Sequence, residues 1–201
     1  MHEQATNFTI FVKQIFPEYF ANKHVLDVGS GDINGNNRFL FDSSCIYNGN
    51  DVFAAPNVTI VSKTSALQFE ADTFDTVAST ECFEHDPEFD ASLQKIVTML
   101  KPGCLFFFTC ATTGRPEHGT RRTSPHDSYG TIGNVSGWTD HYKNITISDL
   151  NVAINIADTF AYYNAYNNSI TKDLYFWGIK KGGEARTDFP EYKATGITRL
   201  L

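Results

Sequence analysis

Two glycines and an aspartate are spaced as in a site that binds a nucleoside. The short apolar run from His24 to Val28 enters Gly29-Ser30-Gly31, which predicts a buried strand ending in a tight glycine turn. Glycines let a ligand approach the backbone, and exposed N–H groups there can bind a carboxylate or phosphate. Asp51 closes the next predicted strand 20 residues after Gly31, about the separation at which an acidic side chain receives ribose hydroxyls. These residues together predict a nucleoside-containing cofactor.

The apolar pattern predicts an α/β fold with a Rossmann-like wound sheet, mostly parallel. The predicted strands are His24–Val28, Ser44–Val52, Val58–Ser62, Phe74–Ser79 and Leu105–Ala111. Phe89 to Leu100 places its apolar residues on one helical face, and Lys101-Pro102-Gly103 ends that helix. A strand, a helix and a strand in this order imply a parallel pair with a right-handed crossover.

The two ends of the chain complete this fold. The first twenty residues predict an amphipathic helix packed on the domain. A helix is expected near Ser148 to Ile156, and two aromatic strands, Thr159–Tyr166 and Asp173–Lys180, should form an antiparallel closing pair. The polar tail from Gly182 is expected on the surface. A chain of 201 residues, 41% hydrophobic, fits a single domain spanning residues 1–201.

Five segments resemble the class I S-adenosylmethionine-dependent methyltransferases, in particular those of type 11. In order along the chain they are Val25-Leu26-Asp27-Val28-Gly29-Ser30-Gly31, Tyr47 to Asp51, Phe74-Asp75-Thr76-Val77, Glu81-Cys82-Phe83-Glu84-His85 and Leu100-Lys101-Pro102-Gly103. The likeness covers roughly residues 20 to 112, and the aromatic strand pair resembles the family's closing strands. The resemblance implies an enzyme that uses S-adenosylmethionine to methylate an acceptor.

By this resemblance, Gly29 and Gly31 face the methionine end of the cofactor, Asp51 its ribose and Val52 one face of its adenine. Thr80 and Glu81 lie near its amino group or beside the acceptor. The candidate cofactor residues are Asp27, Gly29, Ser30, Gly31, Asp51, Val52, Thr64, Ser65, Thr80 and Glu81. For Asp27 the alternative is that it only orients the glycine turn.

The chain departs from the family pattern at two positions. Ile33 stands where many members have a third glycine, and Lys63-Thr64-Ser65 follows the third strand where many have an acidic residue that meets the adenine amino group. A basic side chain cannot accept that hydrogen bond. Adenine recognition is then expected to fall to Thr64, Ser65 or backbone groups.

Residues 114–144 predict a long ordered loop that forms the acceptor side of the site. A structureless segment of this length is uncommon unless it binds something, and it follows the fifth strand at the edge where Gly29 and Asp51 lie. Its glycines should let it adjust and order further around an acceptor. His118 and His141 are the candidate general bases. The candidate acceptor-binding residues are Arg115, Arg121, Arg122, Tyr129 and Trp138. The alternative for the three arginines is a solvated basic cluster on the surface. The alternative for Tyr129 and Trp138 is a small core within the loop itself.

No metal site is expected, because no HxH or HxxxH spacing links the loop histidines. The pair Glu84-His85 is interpreted as capping a helix, with a metal or acid–base role as the alternative. Cys45, Cys82, Cys104 and Cys110 lack CxxC spacing and are expected to be reduced.

The net charge of −7 argues against binding to nucleic acid, which needs clustered Lys and Arg. A small metabolite or sugar is the expected acceptor, with protein next and nucleic acid last. The N-terminal residues lack a secretory pattern and no apolar run could span a membrane, so the expected location is cytoplasmic. Neither the methylated atom nor the oligomeric state follows from the sequence.

Two other functions share the same features. One is a methyltransferase-like domain that binds without catalysis, which the departures at Ile33 and Lys63 favour. The other is a nicotinamide-dependent oxidoreductase that uses the same turn and Asp51. Against the oxidoreductase, Asn34 stands where the third glycine of GxGxxG belongs.

Overall fold

The computed structural model describes residues 1–184 and 188–201. The strands in these ranges are β1 His24–Val28, β2 Ile46–Asp51, β3 Ile60–Val61, β4 Phe74–Thr80, β5 Leu100–Ala111, β6 Phe160–Asn168, β7 Asp173–Lys180 and β8 Ile197–Arg199. The α-helices are α1 Glu3–Ile15, α2 Phe89–Met99, α3 Tyr129–Ile132, α4 Ile147–Ile154 and α5 Ile156–Thr159. None of these helices has the length and apolar character needed to cross a bilayer.

All eight strands belong to one sheet in the order β3-β2-β1-β4-β5-β7-β6-β8. Strands β1 to β5 are parallel, and β7 lies antiparallel between β5 and β6. The mostly parallel, Rossmann-like sheet with an antiparallel closing pair is therefore confirmed. Because β1 lies between β2 and β4, the carboxyl ends of these three strands meet at one edge of the sheet.

Alternating residues of the central strands fill an apolar layer on each face of the sheet. In β5, Phe106 and Phe108 pack on the face that carries α2 and α4, whereas Leu105 and Phe107 pack on the face that carries α1. All four side chains have no exposed surface. A continuous apolar run of this kind is what a strand buried on both faces requires.

The crossovers near the site are shorter than a wound sheet usually has. Within the described residues, no α-helix lies between β1 and β2, and a 3-10 turn at Arg38–Leu40 stands in its place. The preceding residues favour turns because their side chains bond nearby backbone: Asp32 accepts from the Gly35 N–H at 2.8 Å, and Asn36 accepts from the Arg38 N–H at 2.8 Å. The third strand is also shorter than predicted, with two residues.

The tail from Gly182 lies on the surface as predicted for most of its described residues, but two of its aromatic residues pack inward. Residues 185–187 lie outside the described residues, but Phe189 packs against Trp177 with ring centroids 5.2 Å apart. Tyr192 packs against Phe8 at 5.4 Å, and β8 pairs with β6. These residues of the tail therefore cover the same apolar layer as α1. The mostly polar composition of the tail gives no sign of this contact.

Replacing Phe8 by alanine tests how firmly α1 is attached. Phe8 has no exposed surface and stacks on Tyr175 with ring centroids 4.8 Å apart. Its loss leaves a cavity, so we expect the free energy of unfolding in urea to fall by about 3–5 kcal/mol. Phe39→Ala is the control, because Phe39 is 54% exposed and its loss should change this energy by less than about 0.5 kcal/mol. Equal losses in both variants would contradict the packing of α1.

Candidate functional site

A cavity lies at the carboxyl ends of β1, β2 and β4, beneath the segment that follows β5. Parallel α/β sheets bind ligands at this edge. The predicted site residues that line the cavity are Gly29, Gly31, Asp51, Val52, Thr64, Thr80, Glu81, Arg115, His118, Tyr129 and Trp138. The structure thus brings predicted cofactor residues and predicted acceptor residues together around one cavity.

Asp27 does not line this cavity. Its carboxylate is 1% exposed and accepts hydrogen bonds from Asn37 at 2.8 Å and from the Tyr47 hydroxyl. Burial raises the pKa of Asp27 to about 6, against the effect of these two hydrogen bonds. Asp27 therefore fastens the segment after the glycine turn to β1 and β2, which was the alternative interpretation of this residue.

Five further candidates also lie away from the cavity lining, and four of them bond to neighbouring residues. Ser30 is buried against the Asn57 carbonyl at 3.4 Å, and the Ser65 hydroxyl bonds to Glu88. Arg121 pairs with Asp140, and Arg122 pairs with Glu117 at 3.0 Å and with Asp140 at 3.4 Å. His141 is half-buried, and burial lowers its pKa. The two arginines form the solvated cluster that was the alternative for them.

The glycine turn is closely packed, and its N–H groups are already bonded. The N–H groups of Gly29 and Ser30 donate to the Asn50 carbonyl at 2.9 and 3.0 Å, and that of Gly31 donates to Asp51 at 3.1 Å. The expectation that this turn offers free N–H groups to an anion is therefore wrong. Gly29 has φ +70°, and a Cβ there would lie 2.4 Å from Cys82, so a larger residue at Gly29 would disturb the fold itself.

Two backbone N–H groups hold the Asp51 carboxylate in place, and its oxygens can accept further hydrogen bonds. Its Oδ2 accepts from the Gly31 N–H at 3.1 Å and its Oδ1 from the Val52 N–H at 2.7 Å. Burial raises the pKa of this carboxyl group, while the backbone hydrogen bonds lower it. Each carboxylate oxygen has two lone pairs, so both can accept one more hydrogen bond from a diol.

Glu81 closes β4 in a strained backbone conformation, with φ +52°. Its carboxylate accepts from the Thr109 hydroxyl at 2.8 Å and lies 3.5 Å from His2 Nε2 and 3.9 Å from an Arg115 nitrogen. Burial raises the pKa of Glu81, but His2, Thr109 and Arg115 outweigh it and lower the pKa overall. Glu81 is therefore ionised at neutral pH.

Asp173, at the start of β7, pairs with the same two cationic residues, His2 and Arg115. It has no exposed surface, and its oxygens lie 2.9 Å from His2 Nε2 and 3.0 Å from Arg115 Nη1. We call His2, Glu81, Arg115 and Asp173 the charge network. No sequence pattern pointed to His2 or Asp173, since His2 precedes a packing helix and Asp173 begins a strand.

His85 and His118 also line the cavity, and their rings meet edge to face with centroids 4.9 Å apart. Burial lowers the pKa of His85 to about 3, so its imidazole is neutral. The interpretation of Glu84-His85 as a helix cap is wrong. Asp86 serves that end of α2 instead, accepting from the Glu88 N–H at 2.7 Å and the Ser92 hydroxyl at 2.6 Å.

Lys63, the basic residue after β3, is engaged elsewhere. Its ammonium pairs with Glu88 at 2.5 Å and lies 4.8 Å from the centre of the Trp138 ring. Thr64 lines the cavity from the same turn and donates to Asn50 at 2.9 Å. Lys63 thus holds the loop against the sheet and leaves Thr64 at the cavity.

The sequence profile of a family described as "Methyltransferase domain" matches residues 26–108. This range runs from β1 through most of β5 and contains Gly29, Asp51 and Glu81. Residues 26–108 therefore resemble a class I methyltransferase domain, and the cofactor of that family is S-adenosylmethionine. No curated protein sequence matches the chain.

Solved structures with the same fold include enzymes of different activity. Phosphoethanolamine N-methyltransferase 2 of Haemonchus contortus, in complex with S-adenosylmethionine, has a TM-score of 0.60 at 15% identity, covering 88% of this chain and 53% of its own. The 1,6-didemethyltoxoflavin-N1-methyltransferase of Burkholderia thailandensis has a TM-score of 0.59 at 14% identity, covering 89% and 80%. The cyclase SpnF also has 0.59 at 14%, covering 88% and 82%.

These identities show a shared fold and nothing finer. The chain spans about half the length of the Haemonchus contortus enzyme. A cyclase has the same fold, so the fold does not determine the reaction, which depends on the side chains of the site.

Replacing His2 by alanine should change the pH dependence of the domain's stability. Burial lowers the pKa of His2, but Asp173 and Glu81 raise it from 6.5 to about 10 overall. A pKa raised by folding stabilises the protein fully below the unfolded value and ceases to do so as pH rises through the folded value. The stability difference between wild type and His2→Ala should therefore be largest below about pH 6.5 and shrink towards about pH 10.

Urea denaturation at a series of pH values measures this difference. His126→Ala is the matched control, because His126 is an exposed histidine of the loop that does not line the site cavity. A difference between wild type and His2→Ala that does not vary with pH would show that the charge network does not hold His2.

Proposed function

We propose that this chain transfers the methyl group of S-adenosylmethionine to a small-molecule acceptor. The observation that carries the proposal is one cavity in which Asp51 and Glu81 face the loop residues Arg115, His118 and Trp138. Methyl transfer from a sulfonium is an in-line displacement from a good leaving group, so alignment of the acceptor is the main task of the protein. A cavity with a cofactor side and an acceptor side suits that task.

On the cofactor side, Asp51 is suited to accept hydrogen bonds from the ribose hydroxyls, with Val52 and Thr64 beside the adenine. The N–H groups of the glycine turn are used, so the charged methionine end needs side chains. Glu81 is an ionised carboxylate for its ammonium group, and Arg115 is a cation for its carboxylate. The residues present therefore fit the cofactor, with side chains in place of a helix N-terminus.

On the acceptor side, we propose a role for His118 and none for His141, because His118 lines the cavity and His141 does not. For a hydroxyl acceptor, His118 is the candidate base among the loop histidines. Tyr129 and Trp138 supply aromatic walls, and Arg115 is the loop arginine that reaches the cavity. The net charge of −7, and the loop that covers the cavity, favour a small metabolite or sugar as the acceptor over nucleic acid.

Asp51→Ala should weaken S-adenosylmethionine binding while the domain stays folded. A hydrogen bond to a charged group is worth about 1.5–3 kcal/mol, which corresponds to a dissociation constant raised about 10- to 150-fold. Isothermal titration with S-adenosylmethionine and S-adenosylhomocysteine measures it. Asp90→Ala is the control, since Asp90 is exposed on α2 and does not line the site cavity.

An unchanged dissociation constant in folded Asp51→Ala would remove Asp51 from the site. Titration of wild type with NAD tests the oxidoreductase alternative, for which NAD would bind in preference to S-adenosylmethionine. Binding of S-adenosylmethionine without transfer of radiolabelled methyl to any fraction of a cell extract would favour the alternative without catalysis.

His118→Ala and His141→Ala form a matched pair for the acceptor side. Once an acceptor is found by radiolabelled transfer, His118→Ala should lower turnover by about 100-fold or more while S-adenosylmethionine binds as in wild type. His141→Ala should keep turnover near wild type, because His141 lies outside the cavity lining. The same small effect in both variants would leave the loop as a wall without a chemical role.

A further inference from the structure

Three side chains with metal-binding atoms converge on the acceptor side of the cavity. Glu84, His85 and His118 each place one such atom within 4.8 Å of the others. Glu84 and His85 belong to the 3-10 turn after β4, and His118 belongs to the loop after β5. Their spacing along the chain follows no zinc motif, and only the fold brings them together.

Two of the three are buried with polar atoms left unpaired. Glu84 has no exposed surface; its Oε1 accepts from the Ala111 N–H at 3.3 Å, and its Oε2 has no partner among the described residues. His85 is 7% exposed, and neither of its ring nitrogens has a partner in the described part of the chain. Buried polar atoms are nearly always paired, so three unpaired atoms in one cluster point to a missing ligand.

One ring nitrogen of His118 is bound to the backbone, as is common in metal-binding histidines. Its Nδ1 lies 3.1 Å from the Pro116 carbonyl. Donation to that carbonyl leaves Nε2 unprotonated with its lone pair free, and metal-binding histidines commonly donate their other nitrogen to a backbone carbonyl in this way. This contact is independent of the burial of Glu84 and His85.

A glycine next to His118 allows the loop to approach His85. Gly119 has φ +68°, and a Cβ there would lie 2.5 Å from His85 Cε1. The loop backbone therefore turns directly against the His85 ring, which holds His118 beside it.

We propose that Glu84, His85 and His118 bind a divalent transition-metal ion of the zinc type. Two imidazole nitrogens and one carboxylate oxygen suit zinc and its neighbours, whereas magnesium and calcium prefer oxygen ligands alone. Three protein ligands leave a fourth position open. His85 and His118 line the cavity, so that position faces the space assigned to the acceptor.

The consequence for the substrate rests on the proposed function, whereas the metal site does not. An acceptor with an oxygen or nitrogen donor would occupy the open position. A bound ion lowers the pKa of a coordinated hydroxyl, so it would take over the task otherwise given to His118 as a base.

A second group, His2, Glu81 and Asp173, also places its ligand atoms within 4.8 Å of one another. In that group Asp173 is already paired with His2 at 2.9 Å and with Arg115 at 3.0 Å. His2→Ala therefore serves as a control for the first group.

Metal binding is measured on the full chain, with any affinity tag removed, after chelator treatment and without S-adenosylmethionine. Co²⁺ is followed by its visible absorption and Zn²⁺ by isothermal titration. Wild type should bind one ion, and Glu84→Gln and His118→Ala should each weaken binding by at least about tenfold. His126→Ala and His2→Ala should bind as wild type. Thermal unfolding followed by circular dichroism shows that each variant is folded.

The proposal is overturned if wild type binds no ion, or if Glu84→Gln and His118→Ala bind it as wild type does. Loss of binding in His2→Ala alone would place the ion at the second group and also overturn it. Because S-adenosylmethionine is absent, none of these results bears on the proposed cofactor site, which the titration of Asp51→Ala tests separately.

Discussion

The site is assembled around a carboxylate that has no access to water. Asp173 has no exposed surface, and a buried charge is tolerated only when it is paired. Its partners come from distant parts of the chain: His2 lies before α1, and Arg115 lies in the segment after β5. The requirement to neutralise Asp173 therefore fixes the N-terminal residues and the start of the loop against the carboxyl edge of the sheet. Glu81 then lies beside two cations and remains ionised.

At this edge of the sheet, charged ligand groups have to be bound by side chains, whereas in many wound sheets backbone N–H groups bind them. In the described residues no α-helix lies between β1 and β2, so the glycine turn is not followed by a helix N-terminus. The turn satisfies its own N–H groups through Asn50 and Asp51, which stabilises the turn without a ligand. Recognition of a charged ligand end is thereby left to Glu81 and Arg115, and Asp51 both shapes the turn and faces the cavity.

Periodicity and strand ends were enough to predict the sheet, α1, α2 and the position of the cavity, because these depend on burial and on local sequence. Residues whose roles depend on partners far along the chain were not predictable. His2 and Asp173 are paired across the whole domain, and His85 becomes important only because Gly119 brings the loop to it. Asp27 shows the opposite error, since an acidic residue beside a glycine turn resembles a ligand contact but bonds inward to Asn37 and Tyr47. Sequence alone cannot tell on which side of a strand end a polar group finds its partner.

Gly130 and Gly133 of the loop lie in close contact with aromatic rings. A Cβ at Gly130 would lie 2.7 Å from Trp138, and one at Gly133 would lie 2.3 Å from Phe53. The ring of Tyr129 covers Gly31 so closely that a Cβ there would lie 2.3 Å from it. These glycines permit close contact, and interiors packed in this way change between discrete arrangements more readily than they deform. Entry of a ligand beneath Tyr129 would therefore require the loop to move as a packed unit, with Trp138 and its contact to Lys63 carried along or broken.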